Sequence, residues 1–153
     1  MTTNKYFIYC RSAVITHDRT SSIKLQEEAL VNYANLKELI VAGVFSDIGS
    51  SKAGLRKMLN AIKRKKANCI LTTDISRISR DIKFFKEITS AFYDGKIEEI
   101  RIPPNVLRND AESRMTLCIM SDFCNSARKN ISDRIKRGIA AKKLRDTAKP
   151  PQN

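Results

Sequence analysis

Two arginines three residues apart, Arg77 and Arg80, come directly after a short apolar run at residues 69–71. The run is long enough for a buried strand, and apolar residues recur at helical spacing from Ile82 onward, so both arginines fall between a strand and a helix. In open α/β sheets the crevice at the carboxyl ends of the strands holds the ligand, and guanidinium groups bind phosphate oxygens in pairs. The pattern predicts a phosphate site, with a solvated basic helix start as the alternative.

Strands and helices alternate on both sides of this junction. The predicted strands are residues 5–14, 40–45, 69–71 and 97–102, and the predicted helices are residues 23–36, 55–65 and 82–94. Pro103 and Pro104 end the last strand because proline has no N–H to donate. This alternation predicts an α/β fold, with a mostly parallel sheet of four or five strands and helices on both faces.

The pattern of the first predicted strand determines which of its side chains share a face of the sheet. Successive side chains of a strand point to opposite faces. One face carries Phe7, Tyr9, Arg11 and Ala13, and the other carries Ile8, Cys10, Ser12 and Val14. We therefore expect Arg11 and Ser12 to lie on opposite faces of the sheet.

The predicted helices carry apolar residues at the spacing of one buried face. Ser21 or Ser22 is the predicted N-cap of the first helix. Its predicted apolar stripe is Ile23, Leu25, Ala29, Leu30, Tyr33, Ala34 and Leu36. In the helix over residues 82–94, the residues predicted to point inward are Phe84, Phe85, Ile88 and Phe92. Residues 46–52 form a predicted polar loop at a strand end, where functional residues concentrate.

The last third of the chain predicts one long helix. Residues 111–145 contain no proline and only one glycine, Gly138, which allows a helix of roughly 30 residues, about 45 Å long at 1.5 Å per residue. Its first half is apolar, and its second half is basic with a few isoleucines. We expect the apolar half to pack on a second chain and the basic half to lie along a polyanion, with a fraying tail as the alternative.

The charge of the chain also points to a polyanionic partner. The 153 residues, the size of one domain, include 29 Lys and Arg against 16 Asp and Glu, a formal net charge of +13. Nucleic acid is the commonest partner of so basic a domain, and an anionic membrane surface is the alternative. No segment approaches the roughly 20 apolar residues of a membrane span, and the N-terminus lacks the layout of a signal peptide. The expected location is therefore intracellular, in the cytoplasm.

Metal and nucleotide chemistry have little support in the sequence. The four cysteines lie in apolar segments without a CxxC spacing, so we predict them to be buried and reduced: Cys10, Cys69, Cys118 and Cys124. With a single histidine, His17, a zinc site is not expected. A nucleotide-binding or receiver-like domain would need a glycine-rich phosphate loop or an acidic cluster near the first strand, and the sequence has neither.

Five short motifs occur in order along nearly the whole chain. They are Tyr9-Cys10-Arg11, Ile23-Lys24-Leu25-Gln26, Asp47-Ile48-Gly49-Ser50, Arg77-Ile78-Ser79-Arg80-Asp81, and Arg128 with Asp133 and Arg134. With these residues the chain resembles the catalytic domain of serine recombinases, the resolvase/invertase family with its larger integrase relatives. Each motif alone is weak, but five in this order are specific.

The resemblance implies site-specific DNA recombination. In that family a serine attacks a DNA phosphodiester, forming a 5′-phosphoserine bond and a free 3′ hydroxyl, and rotation within a tetramer followed by reversal rejoins the strands. The implied partners are double-stranded DNA and a homodimer that assembles to a tetramer, and no metal or other cofactor is implied. The implied parts are a catalytic core at residues 1–110, an oligomerisation and DNA-contacting helix at 111–146, and the start of a linker to a DNA-binding domain at 147–153.

The same resemblance implies the site residues. The catalytic candidates are Arg11, Gln26, Asp47, Lys52, Arg77 and Arg80, with Ser12 as nucleophile only if the strand register is shifted. The arginines would stabilise charge on the phosphate oxygens, while Gln26 and Asp47 would hold them in place and Lys52 would stand roughly where the family has another arginine. The DNA-contacting candidates are Arg128, Arg134, Lys136, Arg137, Lys142 and Lys143.

The nucleophile position departs from the family pattern. The family places its serine two residues after the first arginine, where this chain has Ala13. Ser76 and Ala127 also stand where the family has acidic residues. Three explanations are open: an engineered serine-to-alanine change at position 13, a local twist or bulge that lets Ser12 serve, and a natural, catalytically inactive relative. The alternative function is then a DNA-binding or oligomerisation module without catalysis.

Overall fold

The computed structural model describes residues 3–12, 19–79 and 81–147, without the side chains of residues 19–21, 79, 121, 124, 125, 127, 128, 146 and 147. Its strands are β1 (Lys5–Ser12), β2 (Ile40–Ile48), β3 (Cys69–Thr72), β4 (Glu99–Ile102) and β5 (Asn105–Arg108), and its helices are α1 (Arg19–Leu36), α2 (Ala53–Lys63), α3 (Ser76–Ser79), α4 (Ile82–Tyr93) and α5 (Ala111–Thr147). Outside the described residues lie the predictions for Ala13, Val14, His17 and Arg80 and for the side chains of Cys124 and Arg128.

The described strands form one sheet in the order β2-β1-β3-β4-β5. Neighbouring strands are parallel except for β5, which is antiparallel to β4. The predicted α/β class with a mostly parallel sheet is confirmed. The strand patterns did not locate β5, because the chain turns at Pro103 and Pro104 and returns at once, with Asn105 opposite Ile102.

The sheet separates two apolar cores, and β1 contributes to both. Phe7 and Tyr9 belong to the larger core, together with residues of α2, α4 and α5. Ile8 and Cys10 belong to the smaller core, which α1 covers. The predicted alternation of β1 is therefore confirmed over the described strand, and the inward residues predicted for α4 are all buried.

Helix α1 differs from its prediction at its start and along its stripe. It begins at Arg19, so Ser21 and Ser22 lie inside the helix and the prediction of either as the N-cap is wrong. Leu25 and Leu36 are 64% and 83% exposed. Each follows a buried residue by two positions, which turns it about 200° around the helix axis, away from the sheet. Ala29 is exposed as well.

Strand β2 is longer than predicted. It continues through Ser46 and Asp47 to Ile48, because it pairs with β1 as far as Ser12. The prediction of a loop from residue 46 is wrong for these three residues. As a result Asp47 lies directly opposite Arg11 in the sheet.

Helix α5 is 37 residues long, which corresponds to about 55 Å. Leu117 is buried against the larger core, whereas apolar residues further along the helix are exposed, among them Phe123 at 75% and Ile131 at 58%. Cys118 is also exposed, so its predicted burial is wrong, while Cys10 and Cys69 are buried as predicted. None of the described helices has the length and hydropathy needed to cross a membrane.

Candidate active site at the carboxyl edge of the sheet

The carboxyl ends of β1, β2 and β3 meet at one edge of the sheet. Arg11 and Ser12 are the last residues of β1, and they pair with Asp47 and Ile48 at the end of β2. Arg77 follows β3 in the short helix α3. The structure thus brings together at this edge residues that the sequence placed far apart.

Asp47 connects the sheet to the start of α2. One carboxylate oxygen accepts hydrogen bonds from the Ser51 hydroxyl at 2.8 Å and the Gly54 N–H at 2.9 Å. The other accepts from the Leu55 N–H at 2.8 Å and the Tyr9 hydroxyl at 2.9 Å. Burial raises the pKa of Asp47, but these hydrogen bonds outweigh that effect and lower it. Asp47 is therefore a fixed anion that fills the N-terminus of α2.

The close approach of α2 to β2 depends on a glycine. A Cβ atom on Gly54 would lie 2.3 Å from the carbonyl oxygen of Ser46, closer than non-bonded atoms can come. Because Gly54 has no Cβ, its N–H can reach the Asp47 carboxylate. Neither Gly54 nor Tyr9 was predicted as a site residue, although Tyr9 belongs to the first of the five motifs. The signal for Tyr9 was a phenol on the Arg11 face of a buried strand, where its hydroxyl needs a partner.

The Arg11 side chain is buried, and one of its hydrogen-bond donors has no acceptor among the described residues. It is 4% exposed, and its Nη2 donates to the Gly49 carbonyl oxygen at 2.8 Å. Gly49 has a φ of 61°, a conformation that glycine adopts without strain. The Nε of Arg11 is buried without a hydrogen-bond partner in the described part of the chain. Arg11 therefore fixes the turn after β2, and one of its donors is left without an acceptor among the described residues.

Gln26 holds the backbone of β1 where the neighbouring strand has ended. β3 pairs with β1 only as far as Tyr9. Beyond that point the Gln26 side chain accepts from the Arg11 N–H at 3.3 Å and donates to the Arg11 carbonyl oxygen at 3.2 Å. The amide thus replaces a strand partner and fixes the backbone next to Ser12.

Arg77 lies in α3, which contacts β1. Burial raises the pKa of the Cys10 thiol to about 11, and the positive charge of Arg77 opposes that rise, so Arg77 lies within electrostatic range of Cys10. Ser12 is on the same face of β1 as Cys10, because it follows Cys10 by two residues. The Nε of Arg77 is buried without a partner among the described residues, as is the hydroxyl of Thr73 in the same turn.

Lys52 and Asp81 form an ion pair between the starts of two helices. Asp81 caps α4 by accepting from the N–H groups of Lys83 and Phe84. Burial raises the pKa of Asp81, but the hydrogen bond from Lys52 and those from the backbone lower it overall. Lys52, 41% exposed, is thus held beside the edge but remains accessible.

The remaining predicted residues are Ser12, at the end of β1, and the basic residues of α5. Ser12 is 6% exposed, and its carbonyl oxygen accepts from the Gly49 N–H at 2.8 Å. The predicted DNA-contacting residues with described side chains are all exposed on α5, and they are Arg134, Lys136, Arg137, Lys142 and Lys143. Within the described residues no group of three Asp, Glu, His or Cys side chains is arranged to hold a metal ion.

Comparisons with known proteins identify the family and the fold of the chain. A family model described as "Resolvase, N terminal domain" matches residues 6–148. No curated protein matches the chain. The C-terminal catalytic domain of ISC1926 TnpA, an IS607-like serine recombinase, is 25% identical with a TM-score of 0.54, and the match covers 64% of this chain and 69% of that one.

Two other solved structures share the fold. The N-terminal catalytic domain of TP901-1 integrase is 24% identical with a TM-score of 0.60, over 82% of this chain and 98% of that one. A resolvase family site-specific recombinase from Streptococcus pneumoniae is 17% identical with a TM-score of 0.67, over 92% and 99%. Since the family model spans nearly all of the sequence, the chain belongs to the resolvase N-terminal domain family, the catalytic domain of serine recombinases.

Proposed function

We propose that this chain cleaves and rejoins double-stranded DNA through a covalent phosphoserine intermediate. A serine oxygen attacks the phosphorus, the bond from phosphorus to the 3′ oxygen breaks, and the hydroxyl proton passes to that oxygen. One ester replaces another, so the reverse reaction can rejoin the strands without an energy source. The observation that carries this proposal is the meeting of Arg11, Ser12 and Arg77 at the carboxyl edge of a resolvase-type sheet.

The proposed nucleophile is Ser12. Ala13, at the position implied by the resemblance, has no nucleophilic atom. Ser12 lies on the same face of β1 as Cys10, the thiol on which the charge of Arg77 acts. A phosphate held by Arg77 would therefore lie on the Ser12 side of the strand. No bulge in β1 is needed for this, and the one irregularity in its pairing with β2 falls between Tyr6 and Phe7, at the opposite end.

The arginines have different proposed roles. Arg77, whose Nε has no partner among the described residues, stabilises the charge that grows on the phosphate oxygens, and Arg80 joins it as the motif implies. Arg11, on the opposite face of β1, fixes the Gly49 turn beside the end of β1. Lys52 supplies a further cation from the start of α2.

The DNA and the second chain are assigned to α5. Its exposed basic half would lie along the phosphate backbone, and its exposed apolar residues, including Phe123 and Ile131, would pack on a second copy in a homodimer that assembles to a tetramer. Exposed apolar side chains along one helix are typical of an interface.

The second candidate function is DNA binding without catalysis. It is favoured by Ala13 at the family nucleophile position and by the 6% exposure of Ser12. A binding module would contact phosphates through the same arginines but would form no covalent bond. The two functions therefore differ in one measurable product, a DNA strand attached to the protein.

The test uses a pool of radiolabelled duplexes of randomised sequence, denatured with SDS after incubation. Transfer of label to the chain supports the proposed function, and binding without transfer supports the second candidate. Arg77→Ala should lower transfer by about 100-fold or more, as loss of one transition-state donor does, while Lys24→Ala, an exposed charge on α1, serves as the matched control. Equal transfer by Arg77→Ala and the control would remove Arg77 from the reaction.

A further inference from the structure

A basic cleft lies at the opposite end of the sheet from the proposed active site. It has a volume of about 800 Å³ and is bounded by the start of β1 and by the turns from α2 to β3 and from α4 to β4. Five lysines line it, and the acidic residue among its described lining is Glu98: the lysines are Lys5, Lys63, Lys65, Lys66 and Lys96. At about 3.3 Å per residue, the length of β1 separates this cleft from Ser12 by more than about 20 Å.

Three of the five lysines have no acidic partner among the described residues. Lys63 pairs with Glu87 at 3.2 Å, and Lys96 pairs with Asp94 at 3.1 Å. Lys5, Lys65 and Lys66 are exposed and form no ion pair with any described residue. The cleft therefore presents an excess of positive charge to a ligand.

The two turns that bound the cleft have the same geometry but different residues at the critical position. In both, the N–H of the left-handed residue bonds the carbonyl three residues earlier, and the next N–H bonds the carbonyl five residues earlier. The left-handed residue is Gly95 with a φ of 72° in one turn and Lys65 with a φ of 55° in the other. Glycine is favoured at this position. Helix α1 ends in the same way at Glu38, with a φ of 53°, so this geometry is not special to the cleft; what differs here is that it places a lysine at the edge of the cleft.

The floor of the cleft is fixed by Asn68. Its side-chain oxygen accepts from the Lys5 N–H at 2.8 Å, and its own N–H donates to the Lys5 carbonyl oxygen at 3.2 Å. Its carbonyl oxygen accepts from the Glu98 N–H at 2.8 Å. The backbone that carries Lys5 is therefore positioned before any ligand binds, which lowers the entropy lost on binding.

The basic surface continues beyond this cleft. Lys66 also lines an adjoining groove along α2, together with Lys57 and Arg64. The positive charge extends over two adjoining hollows, which is a longer surface than a single phosphate group would contact. The surface therefore fits an extended polyanion. Concave hollows accept the raised phosphate backbone of a duplex, whereas a flat membrane surface cannot enter them.

We infer that the lysine cleft binds the phosphate backbone of double-stranded DNA, at a place separate from the catalytic edge. The inference rests on the proposed function only for the choice of DNA as the polyanion. Since the two sites are at opposite ends of the sheet, the cleft would hold a second duplex or a distant part of the same one. The contact would be independent of sequence, because it reaches phosphates and no base.

The test measures how affinity for a short duplex of arbitrary sequence changes with salt, by fluorescence anisotropy on the full chain. The double variant Lys65→Gln/Lys66→Gln should lower the salt slope by about 2, since each phosphate contact contributes about 0.9. The control Lys24→Gln/Lys37→Gln removes the same charge from α1 and the residue after it, outside both hollows, and should leave the slope nearly unchanged.

Lys65→Gly separates binding from folding. The substitution removes one charge and places glycine where the left-handed turn favours it, so the melting temperature should rise while the salt slope falls by about 1. A slope equal to that of the control variant would overturn the inference. The inference would also be overturned if the double variant lost binding to phosphatidylserine vesicles or to polyglutamate while its salt slope for DNA stayed unchanged. The occupant of the cleft would then be a membrane or an acidic protein. Reduced slopes in a chain that forms no covalent adduct would support the cleft and contradict only the proposed catalysis.

Discussion

Tyr9 donates a hydrogen bond from its phenolic hydroxyl to the Asp47 carboxylate at 2.9 Å, from strand β1 to its neighbour β2. Asp47 also accepts two N–H groups of α2. The strand that ends in Arg11 and Ser12 is therefore tied through one carboxylate to the helix that starts beside it. Such a connection fixes the end of β1 relative to the start of α2.

The Asp47 carboxylate should make stability depend on pH. Asp47→Asn should destabilise the chain by about 2–4 kcal/mol at pH 7, because the amide cannot accept four hydrogen bonds and leaves buried donors unpaired. Its pKa is lowered in the folded chain, so the carboxylate's contribution is complete above the unfolded pKa of about 3.9 and is lost as pH falls through the folded value. Urea unfolding should show that the difference in free energy of unfolding between the original chain and Asp47→Asn becomes smaller below about pH 4. A difference that stays constant from neutral pH to acid would contradict this account of Asp47.

Two glycine substitutions should have opposite effects on stability. Gly54→Ala should cost about 2 kcal/mol or more, because its Cβ would meet the Ser46 carbonyl oxygen at 2.3 Å and force α2 away from β2. Gly138→Ala should stabilise by up to about 1 kcal/mol, since nothing lies within 4 Å of its Cβ and alanine favours the helix. Thermal unfolding of the two variants gives the comparison. Equal effects would mean that the approach of α2 is looser than described.

The sequence predicted the fold better than the details of the site. Alternation in β1 placed Arg11 and Ser12 on opposite faces, because the period of a strand is fixed by its backbone. The sequence did not predict that Asp47 lies within a strand. The polar pair Ser46 and Asp47 looks like a loop until β1 and α2 supply the hydrogen-bond partners. Nor could the sequence show where Arg77 lies relative to β1, because that depends on the path of the turn into α3.

The proposed oligomer interface on α5 is tested by Phe123→Glu. Because Phe123 is 75% exposed, the variant should fold normally. Burial of an unpaired charge costs several kcal/mol, so association should be lost. Sedimentation should give a monomer for Phe123→Glu and an unchanged assembly for Lys129→Glu, which lies about 120° around the helix axis from Phe123 and about 160° from Ile131. An unchanged assembly in both would place the interface elsewhere.

The basic half of α5 is tested by salt dependence. Replacing Lys136 and Arg137 with Ala should lower the salt slope for duplex binding by about 2 if both contact phosphate, whatever the DNA sequence. Both residues are exposed, so the fold should tolerate the change. Titrations at several salt concentrations measure the slope. No change would mean that this part of the helix does not contact the DNA.

The most direct measurement is the mass of the peptide that carries the DNA phosphate after reaction with the duplex pool. We expect the phosphoester on Ser12 of the unsubstituted chain, its loss in Ser12→Ala, and its retention in Ser90→Ala, an exposed serine on α4. The reason is that Ser12 ends β1, that Arg77 lies in α3, which contacts β1, and that the charge of Arg77 acts on the Cys10 thiol of the same strand face. An unsubstituted chain that forms no adduct, together with an Ala13→Ser variant that forms one without needing Ser12, would contradict the assignment and show that position 13 holds the nucleophile.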